Sequence, residues 1–369
     1  MGKYFVIAGE ASGDGHAAEL IKQIRQRDPQ ARFVGLGGDR MEAAGCHLVQ
    51  HINRMAFMGF AAVLRNAGQI RRNFCIAKEA LLKERPDVLI LVDYPSFNLR
   101  MAEFCHQNLT ATRIVYYIPP KVWAWKRRRI HRIAALCDEV LGIFPFEPAF
   151  YARYHYRCTY VGNPTAEAIR QLPVTHHPSP LTDTIALLPG SRPSEISHCL
   201  PRILHAAQRF PNYSVTVCAA PGVEDAFYKP YLLHGETLTR DTYAALQQAD
   251  AAIVNSGTAT LEAALIGCPQ VAVYHLAWSP LIGLIRRWAQ PLLFDIPYFT
   301  PVNIVAQKPI IRECIADAFT VDNVADELQR LLTDEAYTKE MLASYEHLSS
   351  LLGNQPAAAT AAAIITLKR

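Results

Sequence analysis

Long apolar runs, paired cysteines and a strong charge bias are all missing from this chain, and each absence closes a class of function. The nine cysteines are scattered with no CxxC pair. Neither a zinc site nor a disulfide framework fits that spacing, and reduced thiols in a cytosolic setting are expected. No apolar stretch reaches the length of a membrane span. The nearest candidate, "LAWSPLIGLIRRWAQPLLF", is broken by Arg286, Arg287 and two prolines. The N-terminus, "MGKYFVIAGEASGDGH", has no long apolar segment with a cleavage site, which excludes a signal peptide. A formal net charge of +4 is too mild to make nucleic acid the main partner. There is no internal repeat, and the first glycine-rich turn is not a GxGxxG fingerprint, so a dinucleotide is poorly supported. A protein that is soluble, or that rests on a membrane surface, is what these absences leave.

What is present points to two domains. The chain has 369 residues, half of them hydrophobic and 19% charged, which is ample for two cores. "KYFVIAG", "ARFVGLGG", "DVLILVDYP", "RIVYYIPP" and "EVLGIFPFE" read as strands. They are continuous rather than alternating, as strands covered on both faces should be. Segments such as "HAAELIKQIRQRD" and "RMAEFCHQNL" lie between them with helical spacing. The pattern is that of parallel βαβ units. A second series, "TIALLPGSR", "YSVTVCAAPG", "AAIVNSG" and "PQVAVYH", follows a Pro- and His-rich stretch without periodicity. The expectation is an α/β chain of two Rossmann-like halves with the active site in the cleft between them. Residues 1–170 form the first half, 171–183 a linker, and 184–345 the second half. Residues 346–369 form an Ala-rich C-terminal helix that packs back on the first half or on a partner protomer.

Four turns carry candidate chemistry. In "AGEASGDGH" the residues Gly9, Ser12, Gly13 and Gly15 let the backbone turn tightly, and a helix start near His16 aims N–H groups at the same spot. Glu10 and Asp14 would repel a pyrophosphate, so a pocket for a sugar or acceptor fits better. An ordinary turn with Asp14 as a cap fits about as well. "LILVDYPSFNLR" puts Asp93 just past a strand, where a carboxylate can take a proton from an attacking hydroxyl. His16 is the rival base, and a turn or capping Asp is the plain alternative. "LLPGSRPSEI" offers Ser191 and Arg192 to a phosphate, with Glu195 at capping-box-like spacing. "IVNSGTATLE" offers Ser256, Gly257 and Thr258 at a helix start and Glu262 one turn on, suited to a diphosphate and a ribose. Ser256 and Thr258 would serve equally as caps.

Two further segments mix apolar, aromatic and basic groups. One carries Met58, Phe60, Val63 and Leu64 with Arg65, Arg71 and Arg72. The other carries Trp123 and Trp125 with Lys126, Arg127, Arg128 and Arg129. Each alone reads best as a core helix with a charged face. Together they favour contact with an anionic membrane surface or a lipid phosphate.

Taken in order, these motifs resemble one family. "AGEASGDGHAA", "GLGGDRMEAAG", "MAFMGFAAVL", "RPDVLILVDYPSFN", "VWAWKRRRIHRI", "FPFEPAFY", "YVGNPT", "LLPGSRPSEI", "NSGTATLEAAL" and "TPVNIVAQKPIIRE" are similar to the motifs of lipid-A-disaccharide synthases, glycosyltransferase family 19. The resemblance implies a GT-B fold and inverting transfer. UDP-2,3-diacylglucosamine is the donor and 2,3-diacylglucosamine 1-phosphate (lipid X) the acceptor, giving a β-1,6 disaccharide 1-phosphate and UDP in lipopolysaccharide biosynthesis. It implies no metal or other cofactor and work at the cytoplasmic face of the inner membrane. A C-terminal portion that swaps between protomers would give a homodimer. By the same resemblance Asp93 matches the general base, Arg192 the arginine near the diphosphate, and Ser256 to Thr258 with Glu262 the nucleotide turn. Asn303 matches a functional asparagine, Glu10 and Ser12 the Gly-rich loop, and Asn98 ends the Asp93 motif as a substrate-side residue. The chain departs from the pattern at Ser96 (a second Asp in many members), at "IPPKVWAW" (a Ser-Pro-Ser form), at Val302 (Pro) and at Asn163 (His). Rival readings are a UDP-N-acetylglucosamine 2-epimerase-like or other GT-B enzyme, and a non-catalytic nucleotide-sugar or lipid-binding protein.

Overall fold

The computed structural model describes residues 2–54, 67–123, 128–172, 183–275 and 298–367. The chain divides into two compact units, Met1–Glu167 with Asn354–Arg369, and Ala168–Gly353. The first is built on a parallel sheet of seven strands. They are β1 (Lys3–Ala8), β2 (Arg32–Gly37), β3 (His47–His51), β4 (Val88–Val92), β5 (Arg113–Tyr117), β6 (Glu139–Gly142) and β7 (Thr159–Tyr160), in the order β3-β2-β1-β4-β5-β6-β7. β4 is buried along its whole length, and β1 from its second residue on. This is why both read as unbroken apolar runs. The connecting helices are α1 (Ala11–Arg27), α2 (Asp39–Ala43), α3 (Ala67–Glu84), α4 (Pro95–Asn108), α5 (Arg129–Leu136), α6 (Glu147–Ala152) and α7 (Pro164–Arg170).

The second unit repeats the plan with six parallel strands. β8 (Thr184–Leu188), β9 (Ser214–Cys218), β10 (Thr237–Thr239), β11 (Ala251–Asn255), β12 (Gln270–Tyr274) and β13 (Glu313–Ile315) lie in the order β10-β9-β8-β11-β12-β13. Its helices are α8 (Pro193–Ala207), α9 (Asp225–Tyr228), α10 (Thr242–Gln248), α11 (Thr258–Ile266), α12 (Pro301–Ala306), α13 (Val321–Thr333) and α14 (Glu335–Leu352).

The last helix, α15 (Ala357–Thr366), returns to the first unit and packs on α1. Its Ala361, Ala362 and Ile365 share a core with Ala17, Ile21 and Ile24. Arg113 caps its carboxyl end by donating to the Ile365 carbonyl at 3.1 Å, and Glu167 accepts the Ala357 N–H at 2.9 Å at the other end. Residues 346–352, grouped with this helix from sequence, instead complete α14 in the second unit. The break falls between Gly353 and Pro356, where helix propensity is lowest.

Each sheet has one point where strand order reverses: between β1 and β4 in the first, and between β8 and β11 in the second. In doubly wound sheets, ligands bind beyond the carboxyl ends of the strands at that point. All four candidate turns follow these four strands.

Candidate active site

In the first unit the turn after β1 runs under the side chain of Tyr94. A Cβ at Gly9 would sit inside the Tyr94 ring, so only glycine fits there. Glu10 is extended and precedes α1 without capping it through its side chain. The helix starts at Ala11 rather than near His16, so exposed Ser12 and buried Gly13 both lie in the first turn of α1. Asp14 serves a different purpose from the one its position suggests. Its buried carboxylate accepts the N–H groups of Gly38, Arg40 and Met41 at 2.7, 3.0 and 3.1 Å, capping α2. Half-buried His16 has its pKa lowered by burial and by the nearby Arg40 charge, which favours the neutral imidazole a base requires.

Across the reversal point, Asp93 and Tyr94 both adopt left-handed backbone, with φ of 46° and 44°. Such conformations cost about 1 kcal/mol or more each and persist only where the surroundings impose them. Here the Asp93 N–H donates to Ile118 O at 3.2 Å. The Asp93 carbonyl accepts the Tyr116 hydroxyl at 2.8 Å and the Asn98 amide at 2.7 Å. With its backbone so held, the Asp93 side chain stands half-buried at the sheet edge. Burial raises its pKa, while the Lys121 charge and the Tyr94 N–H pull the other way. Asn98 itself is fully buried, and its amide also donates to Val92 O at 3.2 Å. Its amide nitrogen thus braces the turn from beneath. Ser96, one of the departures from the family pattern, accepts a bond from Arg129 at 3.3 Å. Asn163, another, caps α7 by accepting the Ala166 N–H at 3.0 Å.

In the second unit the two candidate anion turns follow neighbouring strands, β8 and β11. Gly190 has φ of 127°, and a Cβ there would lie 2.6 Å from the Asn255 amide nitrogen and 2.8 Å from Cβ of Glu195. The turn after β8 thus lies directly against the side chain of Asn255, the last residue of β11. Glu195 organises the first turn, accepting the Ser191 N–H at 3.0 Å, the Ser191 hydroxyl at 3.3 Å and Arg192 Nη1 at 2.8 Å. The Arg192 side chain is 44% exposed, and Tyr274, at the end of β12, feels its charge. In the second turn the Ser256 N–H is already used, donating to Val273 O at 2.7 Å. Its hydroxyl and the exposed Thr258 stand at the start of α11, where Gly257 occupies the cap position with no side-chain cap bond. The half-buried Glu262 has its pKa raised by burial and lies near Tyr243 of α10.

Two more expectations are corrected. Asn303 is buried, its amide donating to Ile311 O and Glu313 Oε1 at 2.8 and 2.9 Å. Its carbonyl accepts the N–H groups of Ile310 and Ile311 at 2.8 and 3.0 Å. It locks a loop rather than presenting itself to a ligand. Trp123, expected at a lipid surface, is 2% exposed, donates to Glu147 at 3.1 Å and packs edge-on to Phe144 and Phe146. Arg71 and Arg72 are exposed on α3. Met58, Phe60, Val63, Leu64, Arg65, Trp125, Lys126 and Arg127 lie outside the described residues.

Two doubly wound parallel-sheet units of this plan define the GT-B fold. The fold is shared with the calicheamicin glycosyltransferase CalG4, at a TM-score of 0.61 and 16% identity over 99% of this chain and 97% of that one. It is shared too with the UDP-GlcNAc 2-epimerase of Neisseria meningitidis bound to UDP-GlcNAc, at 0.57 and 12% over 98% of each. Residues 4–365 match the lipid-A-disaccharide synthetase (LpxB) family. Lipid-A-disaccharide synthases of Trichlorobacter lovleyi and Geobacter sulfurreducens are 36% and 34% identical, each over 95% of this chain and 93% of the relative. That of Myxococcus xanthus is 35% identical over 98% and 96%. The chain belongs to the lipid-A-disaccharide synthase family, and the epimerase-like and non-catalytic readings are not favoured.

Proposed function

We propose that the chain joins two diacylated glucosamines by single displacement at the cytoplasmic face of the inner membrane. UDP-2,3-diacylglucosamine is the donor and 2,3-diacylglucosamine 1-phosphate the acceptor. Asp93 takes the proton from the acceptor 6-hydroxyl, that oxygen attacks the anomeric carbon with inversion, and UDP leaves. Arg192 and the start of α11 stabilise the charge gathering on the diphosphate. Ser191, the Ser256 hydroxyl and Thr258 add donors, and Glu262 accepts from the ribose hydroxyls. Glu10 and Ser12 line the acceptor side, and His16 stands by as the alternative base.

The observation that supports this reading is the packing of the Gly190 turn against Asn255 at the end of β11, with the two candidate anion turns following the neighbouring strands β8 and β11 at one reversal point. Membership of the family supports the choice of substrates. The test is a UDP-release assay with both diacylated sugars in detergent. Asp93→Asn is expected to lower kcat roughly 10²–10⁴-fold while leaving UDP-sugar affinity within about threefold. Turnover near the wild-type rate would remove Asp93 from the mechanism, and a His16→Gln variant with that same loss would hand the role to His16.

A further inference from the structure

We infer that Tyr116 is a positioning residue for the transfer: from β5 its hydroxyl holds the carbonyl of Asp93, and that bond fixes the direction in which the Asp93 side chain leaves the sheet edge. This rests on Asp93 being the base.

Three residues in left-handed backbone meet where β4 and β5 end. They are Asp93, Tyr94 and Ile118, with φ of 46°, 44° and 59°. For Ile118, whose side chain branches at Cβ, such a φ is a genuine outlier. Strain of this kind persists only where the surroundings impose it. Here hydrogen bonds do so from both sides. Val92 lies opposite Tyr117 in the ladder. One step beyond, the Asp93 N–H donates to Ile118 O at 3.2 Å, and the Ile118 N–H donates to Leu141 O of β6 at 3.1 Å. On the far side of its Cα, the Asp93 carbonyl accepts the Tyr116 hydroxyl at 2.8 Å and the Asn98 amide at 2.7 Å. Both peptide planes that flank the Asp93 Cα are therefore held, and with them the direction of its Cα–Cβ bond.

The two donors to that carbonyl differ in what they are attached to. Asn98 belongs to α4, the helix that this turn begins, so it travels with the turn. Tyr116 stands in the sheet, fully buried, and ties the turn to the scaffold. The motion it opposes is a rotation of the Asp93–Tyr94 peptide plane. That rotation would release Tyr94 from its left-handed φ and swing the carbonyl oxygen away from Tyr116. It would also disturb the Tyr94 ring, which lies so close over Gly9 that a Cβ there would fall 2.2 Å from it. One peptide thus sets both the aim of Asp93 and the way the turns after β1 and β4 abut. Burial holds the Tyr116 phenol well above its ordinary pKa, so the hydroxyl keeps the proton it donates. Tyr117 next to it is a built-in control. Successive residues of a strand face opposite sides of the sheet, and Tyr117 joins the core of Ala17, Ile21 and Ile365.

The experiment is steady-state UDP release from both diacylated sugars in detergent. The proteins are wild type, Tyr116→Phe, Tyr117→Phe, Asp93→Asn and the double variant of Tyr116→Phe with Asp93→Asn. Each phenylalanine keeps the ring and removes only a hydroxyl, and the melting temperature of each variant checks its fold. Tyr116→Phe should lower kcat roughly ten- to a hundredfold, as a misaimed catalytic group does. The KM for the acceptor and the affinity for UDP should stay within about threefold. Tyr117→Phe should keep the wild-type kcat. In the Asp93→Asn background Tyr116→Phe should cost nothing further, because the hydroxyl acts only through the base. A merely structural hydroxyl would lower the rate equally in both backgrounds. A wild-type kcat in Tyr116→Phe, an equal loss in both backgrounds, or the same loss in Tyr117→Phe overturns the inference. Turnover near the wild-type rate in Asp93→Asn overturns the base assignment and this inference with it. A damaged Asp93→Asn beside an intact Tyr116→Phe overturns the inference alone.

Discussion

Glu147 accepts two hydrogen bonds, yet burial still pushes its carboxyl from 4.5 up to about 7. The folded state therefore holds a proton that the unfolded chain has released over that window. Stability is greatest below the unfolded value and falls as pH rises through about 4.5 to 7, by about 3 kcal/mol in all. Glu147→Gln removes the titration while keeping the shape, so its melting temperature should vary less across this window than that of the wild type. Parallel curves would show that the shift does not exist. Arg192 is the opposite case. Its 2.8 Å pair with Glu195 is exposed and contributes little to folding. Arg192→Ala should leave the melting temperature within about 2 °C. It should weaken UDP binding by roughly ten- to a hundredfold, read by calorimetry. Unchanged affinity would remove it from the phosphate site. At this scale the sequence was least legible. Asn98, Asn303 and Trp123 are polar or aromatic residues inside recognisable motifs, and a side chain near a strand end reads the same whether it points at a ligand or into the core. Burial decides between those roles, and burial follows from tertiary packing.

At the scale of elements, legibility followed burial on both faces. β1, β2, β4, β5, β6, β8, β9, β11 and β12 each correspond to an apolar run visible in the sequence. The unread strands are β3, β7, β10 and β13, which lie at or next to sheet edges. β3 is mostly half-buried and carries His47, Gln50 and His51, and β7 has two residues. Such strands borrow their conformation from a neighbour, so their own residues carry a weak signal. The four candidate turns were legible for the converse reason: each follows a largely apolar strand, and a sudden Gly, Ser or Asp there is conspicuous. The helix α15 offers a test of packing. Ile365 is 2% exposed in the first unit's core. Ile365→Ala should cost about 2–5 kcal/mol, seen as a lower urea midpoint. A loss below about 0.5 kcal/mol would mean that α15 is dispensable to that core.

For the whole molecule, the relevant question is how it meets a lipid substrate. Among the described residues no helix is long and apolar enough to cross a membrane. Contact through basic side chains such as Arg71 and Arg72 would be electrostatic and weakened by salt. Co-sedimentation with anionic vesicles should therefore fall steeply between low and high ionic strength. Binding that is absent, or indifferent to salt, would argue against such an attachment. The two-unit plan was visible in the sequence as two series of strand-like runs. The return of the last helix to the first unit stands in the sequence only beside the alternative of a partner protomer, because "QPAAATAAAIITLKR" carries an apolar face without any mark of which core it completes.

That return has a consequence for how the protein is made. Residues 168–353 form one uninterrupted stretch, whereas the first unit is assembled from both ends of the chain. Synthesis proceeds from the N-terminus, and domains generally fold as units as they emerge. The second unit has all its residues before the first has the helix that closes its core. The part synthesised first is thus the last to be completed. Until Ala361 and Ile365 arrive, the apolar side of α1 that they cover stays open to water.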